Sequence, residues 1–185
     1  METRNPIKSA IMVQVGFILS TIFVIVAFFQ GNFEILGLNL EVIYTVLALF
    51  ISFPISLSLA YISSGLSAEY EPPIKIKGVI NYFLVFIVLA PISEELVFRG
   101  LLEGYLLVTT TPIISILLPA LLFSIVHISP FRDAPKEFLL LILISAFILS
   151  MVAGLLRFLS NSLIPSIITH SVFNLSGKIV EEFKR

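Results

Sequence analysis

Six stretches of this chain are apolar, five over roughly the 17–25 residues that cross a bilayer as a helix and the third longer. They are residues 10–29, 42–62, 78–108, 113–128, 138–158 and 163–180. The whole chain is 58% hydrophobic and 12% charged, against about 25% charged in a soluble domain. Lipid offers the backbone no hydrogen-bond partners, so only helices or closed barrels span it. The expected class is therefore all-α: a polytopic membrane protein of about six transmembrane helices, with lipid as its first partner. One membrane domain is expected over 1–185, with two N-terminal spans and a loop in 1–77 and a four-span core in 78–180. A net charge of -1 provides no basic field for nucleic acid. The chain has no Cys, which removes disulfides, thiolate metal sites and a cysteine nucleophile.

The first run could pass for a secretory signal, but no small-residue cleavage site follows and Gln30-Gly31-Asn32 reads as a turn, so it is expected to remain as the first span. Residues 30–41 form a short loop. The second span contains Pro54, which should kink it. Residues 63–77 are the longest polar segment and read as a connecting loop broken by Pro72-Pro73. The third run would exceed 40 Å as a single helix at about 1.5 Å per residue, too long for a core of about 30 Å unless tilted or kinked. Pro91 is the expected kink point. Gly154 in the fifth span reads as a close-packing point, and residues 157–162 as a short polar turn before the sixth.

Within the third run, Glu94, Glu95 and Arg99 stand in apolar surroundings. Ionised groups at that depth cost several kcal/mol each, so they are expected to face the protein interior and to have a task there. Glu95 and Arg99 are four apart and share a helix face. Glu94 is turned about 100° away. The arginine can thus neutralise Glu95 and leave Glu94 free for chemistry. Glu103 continues the Glu95 and Arg99 face and is a second possible partner for the arginine. The two histidines of the chain also lie in spans. Phe123 and His127 are four apart, as are His170 and Asn174, so each pair projects from one face. Such a set can hydrolyse an amide: a carboxylate as general base on water with a histidine relaying the proton, and a second histidine with an asparagine amide donating to the oxyanion. Two Glu and two His could alternatively ligate a divalent metal, although the His-Glu-x-x-His helix of many zinc proteases is absent.

Glu94-Glu95-xxx-Arg99, Phe123-xxx-His127 and His170-xxx-Asn174, in that order and each on its own span, resemble the three motifs of the CAAX-protease and bacteriocin-processing family of intramembrane glutamate endopeptidases, which includes the prenyl-protein endopeptidase Rce1. Pro91, Phe98-Arg99-Gly100 and Asn161-Ser162-Leu163-Ile164-Pro165 agree as well. The resemblance covers roughly residues 78–180. It implies peptide hydrolysis without a metal or other cofactor, with Glu94 and His127 activating water and His170 and Asn174 forming the oxyanion hole. Glu95, Arg99 and Phe123 would support the site, which would open toward the cytoplasm. The implied partner is a peptide or protein substrate, such as a lipidated C-terminus or a leader peptide. The rival readings are a metal-dependent membrane protease, and a non-catalytic immunity protein or proton-coupled transporter using the Glu/His set as a relay. Transporters usually carry internal repeats, and none is visible here.

Lys and Arg concentrate in the loops on the cytoplasmic side of lipid bilayers. With six spans and an inside N-terminus, Arg4, Lys8, Lys75, Lys77, Arg132, Lys136, Lys178, Lys184 and Arg185 all fall inside, and only Arg157 falls outside. Both termini are therefore expected in the cytoplasm. Single cysteines introduced into this Cys-free chain should label with an impermeant maleimide from outside at Asn32 or Thr110 and stay unlabelled at Lys75 or Lys136. The reverse pattern overturns the orientation.

Overall fold

In a computed structural model, residues 6–66, 76 and 78–184 are described. Among them six helices carry the fold and no strand occurs. They are α1 (Pro6–Phe28), α2 (Val42–Leu66), α3 (Val79–Thr109), α4 (Pro112–Val126), α5 (Lys136–Ser160) and α6 (Ile164–Phe183). A helical turn at Ile128–Phe131 extends α4 into what reads in sequence as loop. Most of the 63–77 loop, with Glu69, Glu71, Pro72-Pro73, Lys75 and Lys77, lies outside the described residues, as do Arg4 and Arg185; α2 itself runs on to Leu66.

Five of the helices, α1 to α5 with the Ile128–Phe131 turn, are long and apolar enough to cross a membrane. The sixth is equally long but less apolar, because it carries the polar residues that face the bundle interior: Ser166, Thr169, His170 and Ser176 are all buried. Its depth follows from its neighbour. Ser162 at the head of α6 donates to the Asn39 carbonyl just before α2. Further along, Thr169 accepts from Ser52 at 3.2 Å and the Ser56 and Ser176 hydroxyls meet at 2.7 Å. Lys184 caps the Tyr61 ring at 4.3 Å. The two helices thus run parallel over their whole lengths, joined by hydroxyl pairs of the kind that bind helices in lipid, and α6 spans whatever α2 spans. Conversely, α3 runs antiparallel to α6: Phe86 lies beside Asn174 and Glu95 beside His170. α1 runs parallel to α3, with Gln14 beside Ser93 and Phe29 beside Tyr105. This is the alternation that six successive crossings require. The outer surface is apolar, with Met12, Phe23 and Phe28 of α1 exposed, while much of the buried set is polar. That inversion of the soluble pattern suits a bundle surrounded by lipid.

The third helix is where the backbone departs from expectation. It is α-helical at Val79–Tyr82, Ala90–Glu95 and Gly104–Thr109, and widens into π-helix at Phe83–Leu89 and Leu96–Glu103. Pro91 is the local cause of the first widening's loose end. It has no N–H to offer the carbonyls one turn back, and in lipid those carbonyls need other donors. The Asn174 amide donates to the Phe86 carbonyl at 2.8 Å and the Ser171 hydroxyl to the Ile87 carbonyl at 2.8 Å. The interruption expected at Pro91 is therefore a pair of widened stretches, the first of them stitched to α6. Such π-turns recur at functional sites.

The end of the bundle that holds the α1–α2 connection is closed by that connection. A 3₁₀ turn at Phe33–Leu36, begun by Asn32, leads into Gly37. Arg157, read in sequence as part of a polar turn, belongs to α5 and is buried. Its guanidinium donates to the Asn161 side chain and the Ile35 carbonyl, both at 3.0 Å. The helix runs on to Ser160 because Arg157 has these acceptors and does not need water. The Leu163 N–H reaches the Gly37 carbonyl at 2.7 Å. Gly37 has φ +59, and a Cβ there would stand 2.6 Å from the Asn161 carbonyl. Gly37→Ala should therefore destabilise the fold by roughly 1–3 kcal/mol, read as a lower unfolding temperature in detergent. An unchanged temperature would show that the connection is not tightly held.

Candidate active site

Arg99 sits at the centre of the bundle with no exposed surface. Three side chains converge on its guanidinium. Glu95, one turn back on α3, faces it with Nε–Oε2 at 3.1 Å and Nη1–Oε1 at 3.3 Å. Ser150 of α5 accepts from Nη2. The Phe123 ring of α4 lies 5.0 Å from the guanidinium carbon, a cation–π contact in dry surroundings. The spacing argument that paired Glu95 with Arg99 holds. Glu103 makes no direct ion pair or hydrogen bond with the arginine. It is fully buried against Gly154, where a Cβ would stand 3.0 Å from its Oε2, and neither of its oxygens has a hydrogen-bond partner among the described residues.

The pair passes its geometry to His170. Glu95 Oε1 lies 2.8 Å from His170 Nδ1. A carboxylate already held by arginine can only accept, so Nδ1 carries the proton and Nε2 points the other way. There it meets Glu94, whose Oε2 is 3.9 Å distant. His127, at the end of α4, is fixed by the same device. Its Nδ1 donates to the Phe123 carbonyl at 2.7 Å, one turn back, which leaves its Nε2 free. Phe123 separates the two imidazoles as a wall, its ring centroid 4.8 Å from His127 and 5.5 Å from His170. Phe98 packs edge-on against it at 5.1 Å.

The two adjacent glutamates differ as their helix faces dictate. The Glu95 side chain has no exposed surface, whereas Glu94 keeps 19%. Glu94 Oε1 is held at 3.3 Å by the Gln14 amide of α1, and Ser93 donates to the oxygen of the same amide. Asn174, one turn beyond His170, spends one N–H on the Phe86 carbonyl and retains a second. Glu94, Glu95, Arg99, Phe123, His127, His170 and Asn174, scattered over three helices, are thus gathered around Phe123 and the middle of α3. Gln14, Ser93, Ser150 and Ser171 were not singled out by sequence. For Gln14 a signal exists: it is a lone amide inside the first apolar run, where a polar group needs a partner. Serines are too common in these helices to stand out.

Among the described residues, no three His, Cys, Asp or Glu side chains are disposed to hold a metal ion. The chemistry available is that of one partly exposed carboxylate between two imidazoles whose Nδ1 atoms are engaged and whose Nε2 atoms are free. Glu95→Gln should therefore lower stability by roughly 3–5 kcal/mol, the cost of leaving Arg99 buried without its counter-charge. The check is thermal unfolding in detergent, with Glu94→Gln close to wild type in the same assay. Equal unfolding temperatures for the two variants would contradict the division of labour.

A family model described as type II CAAX prenyl endopeptidase Rce1-like matches residues 76–176. No curated protein and no solved structure matches the chain.

Proposed function

The chain belongs to the Rce1-like family of type II CAAX prenyl endopeptidases, a family of proteases, and on that premise we propose that it hydrolyses peptide bonds within the membrane with Glu94 as general base. The observation that carries this reading is the position of Glu94. It keeps 19% of its side chain exposed, with its Oε2 turned toward the free face of His170 at 3.9 Å, while Glu95 beside it is consumed by Arg99.

In this reading a water lies between the Glu94 carboxylate and His127 Nε2. As the water oxygen attacks the scissile carbonyl carbon, its proton passes to the Glu94–His127 pair. The carbonyl oxygen gains charge and is met by His170, working with a proton on Nε2 as well as Nδ1, and by the second N–H of Asn174. Collapse of the tetrahedral intermediate breaks the C–N bond, and the leaving nitrogen takes the proton held by the pair. Glu95 fixes the ring of His170, and Phe123 keeps the two imidazoles apart and dry. The reaction needs no redox partner, and its co-substrate is water. The family points to a peptide or protein substrate; a prenylated C-terminus is the form we favour. With both termini in the cytoplasm, a site facing that side would receive such a substrate.

The test uses a quenched-fluorescence peptide ending in a farnesylated Cys-aliphatic-aliphatic-X sequence, with purified protein in detergent. Glu94→Gln should abolish cleavage while the protein stays folded. Asn174→Ala should lower kcat by about 10²–10³ with KM nearly constant, the usual loss for one oxyanion donor. That variant also frees the Phe86 carbonyl, so Ser171→Ala, which frees the neighbouring Ile87 carbonyl, is the control and should lose far less. Full activity in Glu94→Gln would remove the base. Equal losses in Asn174→Ala and Ser171→Ala would reduce Asn174 to a stitch in the backbone.

A further inference from the structure

Gln14 is the one polar group that the first span brings to the site. The buried residues of α1 are Ala10, Gln14, Thr21 and Ile25, a single stripe facing the bundle. Gln14 is 8% exposed and lies outside the segment that the family model covers, residues 76–176. Both ends of its amide are used on neighbouring residues of α3. The nitrogen is 3.3 Å from Glu94 Oε1, and the oxygen accepts from the Ser93 hydroxyl. The orientation is not interchangeable. Turned over, the amide oxygen would face the carboxylate, acceptor against acceptor. The Ser93 hydroxyl, which also contacts the Ala90 carbonyl at 3.0 Å, is placed to donate to the oxygen and hold the amide in the productive sense.

We propose that Gln14 is a positioning residue for the reaction: its amide grips Glu94 by Oε1 and so turns Oε2 toward His170 and the water to be activated. Glu94 needs such a grip. Glu95 is fixed by Arg99 and His170, but no basic side chain of α3 reaches Glu94, and a carboxylate on a free side chain would sample several rotamers. One oxygen held by a neutral donor leaves the carboxylate its charge and leaves the second oxygen its lone pairs. A lysine or arginine in place of Gln14 would compete with water for both. It follows that α1 is part of the active site and not merely a membrane anchor. The inference rests on the reading of Glu94 as the base.

The test uses the full chain in detergent and the farnesylated probe peptide. Gln14→Met keeps the length of the side chain and removes the donor. It should lower kcat about tenfold or more, the worth of one hydrogen bond to a charged group, with KM within about twofold and the unfolding temperature unchanged. In a Glu94→Asp background the shortened carboxylate no longer reaches the amide, so Gln14→Met should cost little there, and the two losses should be non-additive. A purely structural Gln14 predicts the opposite: equal losses in both backgrounds and a lowered unfolding temperature.

A second readout needs no substrate. The infrared carboxyl bands of Glu94, assigned by their disappearance in Glu94→Gln, should shift in Gln14→Met. They decide the matter alone where the probe peptide is not cleaved. Unmoved bands or wild-type kcat in Gln14→Met, with Glu94→Gln inactive, would overturn the role of Gln14 and leave the base in place. Activity in Glu94→Gln would instead remove the reading on which both rest.

Discussion

The burial of one guanidinium organises this molecule. Arg99 has no contact with solvent or lipid, and a charge in that position is tolerated only with a counter-charge and further hydrogen-bond acceptors around it. Those partners come from three helices: Glu95 on its own, Ser150 from α5 and the Phe123 ring from α4. The sixth helix joins through His170, which sits on the remaining side of Glu95. Whatever tilt or rotation separates these helices must preserve all four contacts at once. The ion pair is therefore both a structural knot and the fixed point from which the imidazole of His170 is aimed. That coupling explains why a motif with two adjacent acids is useful. In the reaction we propose, one acid is spent on geometry so that the next can be kept for chemistry.

A second constraint is the lack of water for the backbone. Pro91 removes a donor three residues before Glu94, and the widened stretch before it leaves carbonyls that lipid cannot satisfy. Asn174 and Ser171 of α6 supply the missing hydrogen bonds. The irregularity thus ties α3 to the helix that carries His170. Asn174, which we propose as an oxyanion donor, is one of these two stitches, so the proposed chemistry and the architecture draw on the same side chain.

How far the sequence could be read follows from the range of the interactions involved. Contacts four residues apart on one helix were legible, because helical geometry alone dictates them: Glu95 with Arg99, and Phe123 with His127. Five of the six apolar runs were legible as helices long and apolar enough to cross a membrane, as were the all-helical class and the unlike burial of the two glutamates. The apolarity of α6 was less clear-cut, because its polar residues are buried against α2, α3 and α5, where no window of sequence shows their partners. Arg157 was misplaced into a turn because a charge near the end of a run looks like the start of a loop until the Ile35 carbonyl and Asn161 are seen beside it. The first π-turn of α3 is held by donors some 80 residues away. Gln14 and Ser150 owe their roles to contacts 79 to 80 and 51 residues distant. Nothing local distinguishes Ser150 from filler, and the lone amide of Gln14 in an apolar run signals that a partner is needed without naming it.

The connection between α1 and α2 has an implication for how such chains diversify. The core reaches it through three carbonyls, with Arg157 on Ile35, Leu163 on Gly37 and Ser162 on Asn39, and through the buried Leu36 side chain, which packs on Gly100. A carbonyl is the same whatever side chain stands beside it. The lid over this end of the bundle is consequently specified mostly by backbone shape, with Gly37 and the buried Leu36 as its stringent letters. Mutational drift can rewrite most of the remaining positions without disturbing the closure. Two proteins of this design could thus share an identical plug while their alignments across it show almost nothing in common.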